Sequence, residues 1–357
     1  MPASTLADRL ARRALELVDI RSESRGEAEL AAHVLGVLRD AGVPARDAGD
    51  TCVLAGTTAR GDRPLVLLAG HLDTVPAQGN LPGRVEDGVV HGLGAADMKG
   101  AVAVMVELAI ALAGRPTALD VGFVWFGREE LPVSEGALTP LLAREPGLRT
   151  ADLAIVMEPT ANAIQLGCLG NLNATWTFHG RAGHSARPWL ADNAIHRAAK
   201  GIGALARVPW TVHEVGGLEY REVVSVTTIS GGIAQNVVPG EAVAHVNYRY
   251  PPGLAPDAAE ARLRGWCEPY GTVEIVGHAP SGPVPEGNPL VDALAAAGAG
   301  PVEAKQAWTP VAEFGLAGVD AVNFGPGDPA FAHRADEQVE VGALVTAHEV
   351  LERLLCR

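Results

Sequence analysis

Five short stretches of this 357-residue chain end on a histidine or a carboxylate where a strand or loop closes. The apolar run at 65–69 leads into Gly70-His71-Leu72-Asp73, and the run at 120–126 leads into Gly127-Arg128-Glu129-Glu130. The run at 152–157 leads into Glu158-Pro159, and the segment 319–324 is followed by Gly325-Pro326-Gly327 and then His333. Asp97 closes Gly94-Ala95-Ala96-Asp97 at a loop-to-helix junction. Carboxylates gathered in one place repel and raise one another's pKa unless a cation holds them. Two histidines and three carboxylates make an N/O ligand set suited to zinc, or to cobalt or manganese. A carboxylate has two oxygens, so one of them could bridge a metal pair spaced at roughly 3.5–4 Å. Alone, a histidine after a strand is usually structural and Glu129-Glu130 could be a solvated loop. Their coincidence at matching strand ends points to chemistry.

The elements that must position these residues form an α/β pattern. The runs at 64–69, 120–126 and 152–157 are nearly continuous in apolar residues, as strands covered on both faces require. Residues 99–113, small and aliphatic, lie between them as a helix, and strands alternating with helices build an α/β sheet. Such sheets bind ligands beyond the carboxyl ends of their strands. Leu6, Leu10, Ala14 and Leu17 mark a first helix, and Ser24-Arg25-Gly26-Glu27 reads as a capping box opening a second.

From about Leu169 the pattern changes. Residues 171–181 alternate like a strand, 193–207 are helical, strands follow at 223–231 and 236–250, then a helix at 257–269 and a strand at 273–279. That order, βαββαβ, is a two-layer unit of the ferredoxin-like type. The expected organisation is a catalytic domain over 1–168 and 281–357, ending in a helix at 341–355, interrupted by an inserted domain over 169–280.

Composition narrows the function. Lys plus Arg is 28 against 42 Asp plus Glu, a net charge of −14 with no basic block, which speaks against nucleic-acid binding. Cys52, Cys168, Cys267 and Cys356 are scattered, which fits neither a disulfide framework nor a thiolate zinc site and suits a reducing cytoplasm. The first 21 residues lack a signal-peptide h-region, and the apolar stretch 101–113 is too short to span a bilayer, so a soluble cytoplasmic protein is expected.

Several strings in this order resemble one family. They are Gly70-His71-Leu72-Asp73-Thr74-Val75-Pro76, Gly92-Leu93-Gly94-Ala95-Ala96-Asp97-Met98-Lys99-Gly100, Glu129-Glu130, Met157-Glu158-Pro159 and Gly183-His184-Ser185. Over essentially the whole chain the sequence resembles the di-zinc aminoacylase/acetylornithine deacetylase family. Ala95-Ala96-Asp97-Met98-Lys99-Gly100, Asn236-Val237-Val238-Pro239, Asn247-Tyr248-Arg249-Tyr250 and Asn323-Phe324-Gly325-Pro326-Gly327-Asp328 look most like its succinyl-diaminopimelate desuccinylase branch.

The resemblance implies a mixed-sheet zinc-hydrolase domain with an inserted lid and dimerisation domain, assembled as a homodimer. It implies that Asp97 bridges two zinc ions (cobalt or manganese able to substitute), with His71 and Glu158 on one and Glu130 and His333 on the other. Glu129 would be the general base, and Asp73 would sit behind His71 and orient it. His184 would reach the partner's site and stabilise an oxyanion. Asn236 and Arg249 would contact a small-molecule N-acyl amino-acid substrate, Arg249 clamping a carboxylate. The Gly325-Pro326-Gly327-Asp328 backbone is read as an anion-binding nest. A cis peptide between Asp97 and Met98 is also implied. The implied reaction removes succinate from N-succinyl-L,L-2,6-diaminopimelate in lysine and cell-wall biosynthesis.

Leu93 stands where the family often has Arg, and Ser185-Ala186-Arg187-Pro188-Trp189 departs from the aromatic-Pro form of many desuccinylases. These departures leave the metal chemistry intact and bear on the substrate. The alternatives are acetylornithine or another N-acyl amino acid, a small-peptide exopeptidase, and a non-catalytic metal-binding protein, whose mark would be a missing ligand or base. Gly92-Leu93-Gly94 lacks the further glycine and the ribose-binding acid of a dinucleotide site. The remaining histidines, His91, His196 and His245 among them, match no motif.

Overall fold

The computed structural model of the protein describes residues 4–356; residues 1–3 and 357, inside the range expected for the catalytic domain, lie outside the described residues. The chain divides into two compact units, one of Met1–Gly167, Pro283–Ala304 and Thr309–Arg357, the other of Cys168–Gly282 and Lys305–Trp308.

The first unit is built on an eight-stranded mixed sheet. Strands Leu65–His71, Asp120–Phe126 and Leu153–Val156 are buried at every position and pair in parallel. Ala321–Asn323 continues the parallel set beside Leu153–Val156. At one edge a hairpin of Ala45–Gly49 and Cys52–Gly56 pairs antiparallel with Asp120–Phe126, an addition the apolar runs do not announce. Helix Gly100–Leu112 is buried along nearly its whole length and packs against helices Leu6–Asp19 and Val341–Leu355. Its one charge, Glu107, accepts hydrogen bonds from Arg9 Nε (3.3 Å) and Arg13 Nε (3.1 Å).

The capping box expected at Ser24-Arg25-Gly26-Glu27 is not formed. The second helix is Ala28–Asp40 with Glu27 as an N-cap that makes no side-chain cap bond. Ser24 Oγ donates instead to Asp73, and Glu27 accepts from the N–H of Arg128, so tertiary partners have taken both groups. The capping box lies at the first helix, between Thr5 and Asp8.

In the second unit five strands form an antiparallel sheet in the order Thr211–Val215, Leu218–Gly231, Glu241–Tyr250, Gly170–His179, Thr272–Ala279. Gly170–His179 and Glu241–Tyr250 alternate between buried and half-buried residues, so one face holds the core. Trp176, Phe178, Tyr248 and Tyr250 fill that core with residues of helices Ala194–Leu205 and Pro256–Cys267. Two features depart from the expected pattern. Thr211–Val215 is an additional strand, joined to Leu218–Gly231 through Gly216 and Gly217, both at positive φ as a two-residue hairpin turn requires. The strand expected over 236–250 begins at Glu241, because Val237–Val238 turns away to pair with Gly183–His184. Among the described residues no helix is long and apolar enough to cross a membrane.

Candidate active site

Strand register brings the polar residues of the first unit together. His71 ends its strand level with Phe126, so the following turn carries Glu129 and Glu130 past it. Ala69 is level with Val156, and continuing that register by two residues sets Glu158 beside His71. Asp97 comes from an irregular helical turn, Ala95–Lys99, and its peptide bond to Met98 is cis.

The resulting geometry centres on Asp97. Its Oδ1 lies 3.1 Å from His71 Nε2, and its Oδ2 lies 3.5 Å from His333 Nε2. Glu158 Oε1 is 3.9 Å from His71 Nε2, and Glu130 Oε1 is 2.9 Å from His333 Nε2. Two ligand-type sets follow, His71–Asp97–Glu158 and Asp97–Glu130–His333, sharing Asp97, with a third of His71, Glu129 and Glu130 alongside. Among the described residues, Glu129 joins no set that contains Asp97.

Asp73 is fully buried, and its carboxylate works differently from the expectation. Asp73 Oδ1 accepts from the N–H of Glu129 (2.9 Å) and Oδ2 from the N–H of Glu130 (3.1 Å), so this side chain shapes the turn bearing both glutamates. His71 Nδ1 lies 3.0 Å from the Asp73 carbonyl oxygen but 3.6 Å from its carboxylate. A carbonyl only accepts, so Nδ1 carries a hydrogen, and Nε2 faces Asp97 and Glu158. It is the main chain of Asp73 that orients the ring.

The electrostatics suit a cation. Burial favours the neutral form of His71, yet the hydrogen bond to Asp97 and the charges of Glu129, Asp97 and Glu158 outweigh it and hold the ring's pKa well above its ordinary value. Hydrogen bonds to Asp97 and Glu130 raise His333 to about 10 against the opposing effect of burial. Burial, then the charge of Glu158, pushes Glu129 well above the usual carboxylate range. For Asp97 burial acts upward, but His333 and His71 hold it well below that range. The same carboxylates that raise the two imidazoles make the cluster attractive to positive charge. Divalent ions at the same donors would supply that charge, and the histidines would bind them in their deprotonated form.

The other expected residues have partners of their own. Gly325 is committed elsewhere than to an anion nest, because its N–H donates to Thr160 Oγ1 (3.0 Å). A side chain there would put its Cβ 2.5 Å from the Glu158 carbonyl oxygen, so glycine permits the close approach of two backbones. Leu93 is 1% exposed and belongs to the core, so its departure from Arg is a packing feature. His184, Asn236 and Arg249 lie in the second unit. His184 is exposed and its Nδ1 accepts from the N–H of Ala186 (3.1 Å), which puts the ring proton on Nε2. Asn236 is exposed and its carbonyl accepts from the N–H of Ser185 (2.9 Å). Arg249 Nε donates to Asn247 Oδ1 (3.0 Å) in a cluster with Asn171 and Asn173. Reading the sequence misses Glu337, whose carboxylate binds the turn at Asp97; it sits in a polar run with no apolar period to set it apart.

Comparison with known proteins gives the family of the chain. The model of "Peptidase family M20/M25/M40" matches residues 67–357. The chain is 40% identical to a Mycobacterium tuberculosis protein named as a candidate succinyl-diaminopimelate desuccinylase, over 95% of this chain and 96% of that one. It is 36% identical to the succinyl-diaminopimelate desuccinylase of Corynebacterium glutamicum, over 95% of this chain and 94% of that one. The fold matches that of the Bacillus subtilis YXEP protein, described as a dinuclear metal-binding peptidase of family M20, with a TM-score of 0.70 at 18% identity over 98% and 97% of the two chains. The chain belongs to peptidase family M20/M25/M40. It is an enzyme, a metal-dependent hydrolase of that family.

Proposed function

We propose that this enzyme hydrolyses the amide bond of N-succinyl-L,L-2,6-diaminopimelate at a pair of zinc ions. The observation that carries the chemistry is Asp97, which offers one carboxylate oxygen toward each of two histidines. The substrate rests on the likeness to relatives named for that reaction. In this reading His71 and Glu158 would hold one ion and Glu130 and His333 the other, with Asp97 offering an oxygen to each. When bound, the metal pair supplies Lewis acidity, polarising the scissile carbonyl and acidifying a water. Glu129, whose carboxylate belongs to neither set containing Asp97, would take a proton from water and return it to the departing amine. Asp73 keeps Glu129 and Glu130 apart in role by fixing the main chain of both. A cytoplasmic location goes with this reading, the four cysteines being free thiols.

The test is amine release from succinyl-diaminopimelate, acetylornithine and a dipeptide, each with zinc present. A preference for the succinylated substrate is expected; a preference for acetylornithine or the dipeptide would move the enzyme to another branch of the family.

The second unit serves, in the same proposal, as a ferredoxin-like lid and dimerisation domain over 169–280. Its support is the antiparallel sheet with Thr211–Val215 at an open edge, which is a liability unless paired or covered. A second copy pairing across a two-fold axis would cover it. His184 then serves the partner's site, its Nε2–H offered to the oxyanion, and losing one such donor typically costs ~10²–10³ in turnover. Mixing His184→Ala with Glu129→Gln and allowing subunits to exchange should restore part of the activity, since one site in the heterodimer carries neither defect. No recovery after verified exchange would mean that each chain uses its own His184 or none.

A further inference from the structure

Glu337 is 2% exposed, and its carboxylate is spent on backbone. Oε2 accepts from the N–H of Gly94 (2.8 Å), and Oε1 accepts from those of Ala96 (3.1 Å) and Asp97 (2.9 Å). Its own carbonyl accepts from the N–H of Gly92 (3.0 Å). The turn gripped in this way does not follow helical geometry. Gly94 has φ of 78°, and Asp97 (φ −127°, ψ 91°) and Met98 (φ −134°, ψ 34°) depart from helical values. The N–H groups of Gly94, Ala96 and Asp97 therefore depend on Glu337 for an acceptor, and a buried donor left without one is costly.

We propose that Glu337 is a positioning residue whose carboxylate fixes the backbone at Asp97, so that the two Asp97 oxygens face His71 and His333 together. The inference rests on the reading of Asp97 as the bridging metal ligand. Glu337 follows His333 by four residues, so the same clamp ties the segment bearing one ligand to the turn bearing another. The chemistry demands a carboxylate of this length. Gln offers a single acceptor oxygen and would turn an NH₂ group toward an N–H donor, while Asp falls one methylene short of the three donors.

The experiment is titration of the metal-free full chain with Co²⁺, following bound metal by equilibrium dialysis and the visible absorption of the ion. Wild type should take up two ions. Glu337→Gln and Glu337→Asp should each weaken the looser ion by about 10–100-fold, as loss of a group supporting a ligand does, and alter the Co²⁺ spectrum. Far-UV and near-UV circular dichroism of both variants should match wild type. Wild-type affinity and spectrum in both variants would overturn the inference, as would affinity lost only in step with the fold in both. If wild type itself binds fewer than two ions, the two-metal reading fails first, which is a separate result.

Discussion

Replacing Glu129 with Gln should leave both metals bound while turnover falls by about 10²–10⁴-fold, the range typical of a lost general base. The amide is close in shape to the carboxylate, keeps the main-chain hydrogen bond to Asp73, and cannot accept a proton from water at neutral pH. Glu129 joins neither set of ligand-type residues that contains Asp97, so its change should not empty a metal site. Its neighbour supplies the control. Glu130 Oε1 lies 2.9 Å from His333 Nε2 and shares a set with Asp97, so Glu130→Gln should weaken one ion. Metal analysis beside kcat for the two variants decides the matter. Metal lost with Glu129→Gln and retained with Glu130→Gln would reverse the two roles.

That two adjacent, chemically identical residues need an experiment to separate them shows where the sequence stops being informative. The cluster itself is legible because strands buried on both faces read as unbroken apolar runs, and a polar residue directly after such a run stands at the sheet's edge. His71, Glu158 and the Glu129-Glu130 pair follow from that logic and from parallel register alone. What escapes is whatever depends on a partner distant in the chain. Ser24 and Glu27 match a capping pattern, yet their oxygens are engaged by Asp73 and by the turn at Arg128. The hairpin at Cys52–Gly56 is short and polar on one side of its turn, too brief for a period to register. The extra strand Thr211–Val215 did carry a signal, two glycines between β-branched runs, and that signal goes unread beside the longer strand after it. Glu337 has none, since three backbone donors some 240 residues away define its role.

Asp97 should be the position where a single change does the greatest damage. Its two oxygens lie 3.1 Å and 3.5 Å from nitrogens of different histidines, and those histidines belong to different ligand sets. In the proposed scheme every other ligand would serve one ion and Asp97 both. Divalent ions roughly 3.5–4 Å apart repel strongly, and a shared carboxylate between them lowers that repulsion as well as binding each. Asp97→Ala would remove a ligand from both sets and the screening between them; the Glu130 and Glu158 carboxylates each already face their own histidine, and Glu129, grouped with His71 and Glu130, joins no set that reaches His333. The loss should therefore exceed the roughly 10–100-fold in metal affinity that follows removal of a merely supporting group. Asp97→Asn keeps one oxygen donor and the shape of the side chain but not the charge, so it should retain a single ion at most, with turnover near background. Equilibrium dialysis against zinc, with the fold checked by circular dichroism, reads the stoichiometry directly. Two ions held at wild-type affinity in either variant would remove Asp97 from the bridge and the two-metal scheme would have to be rebuilt around Glu130.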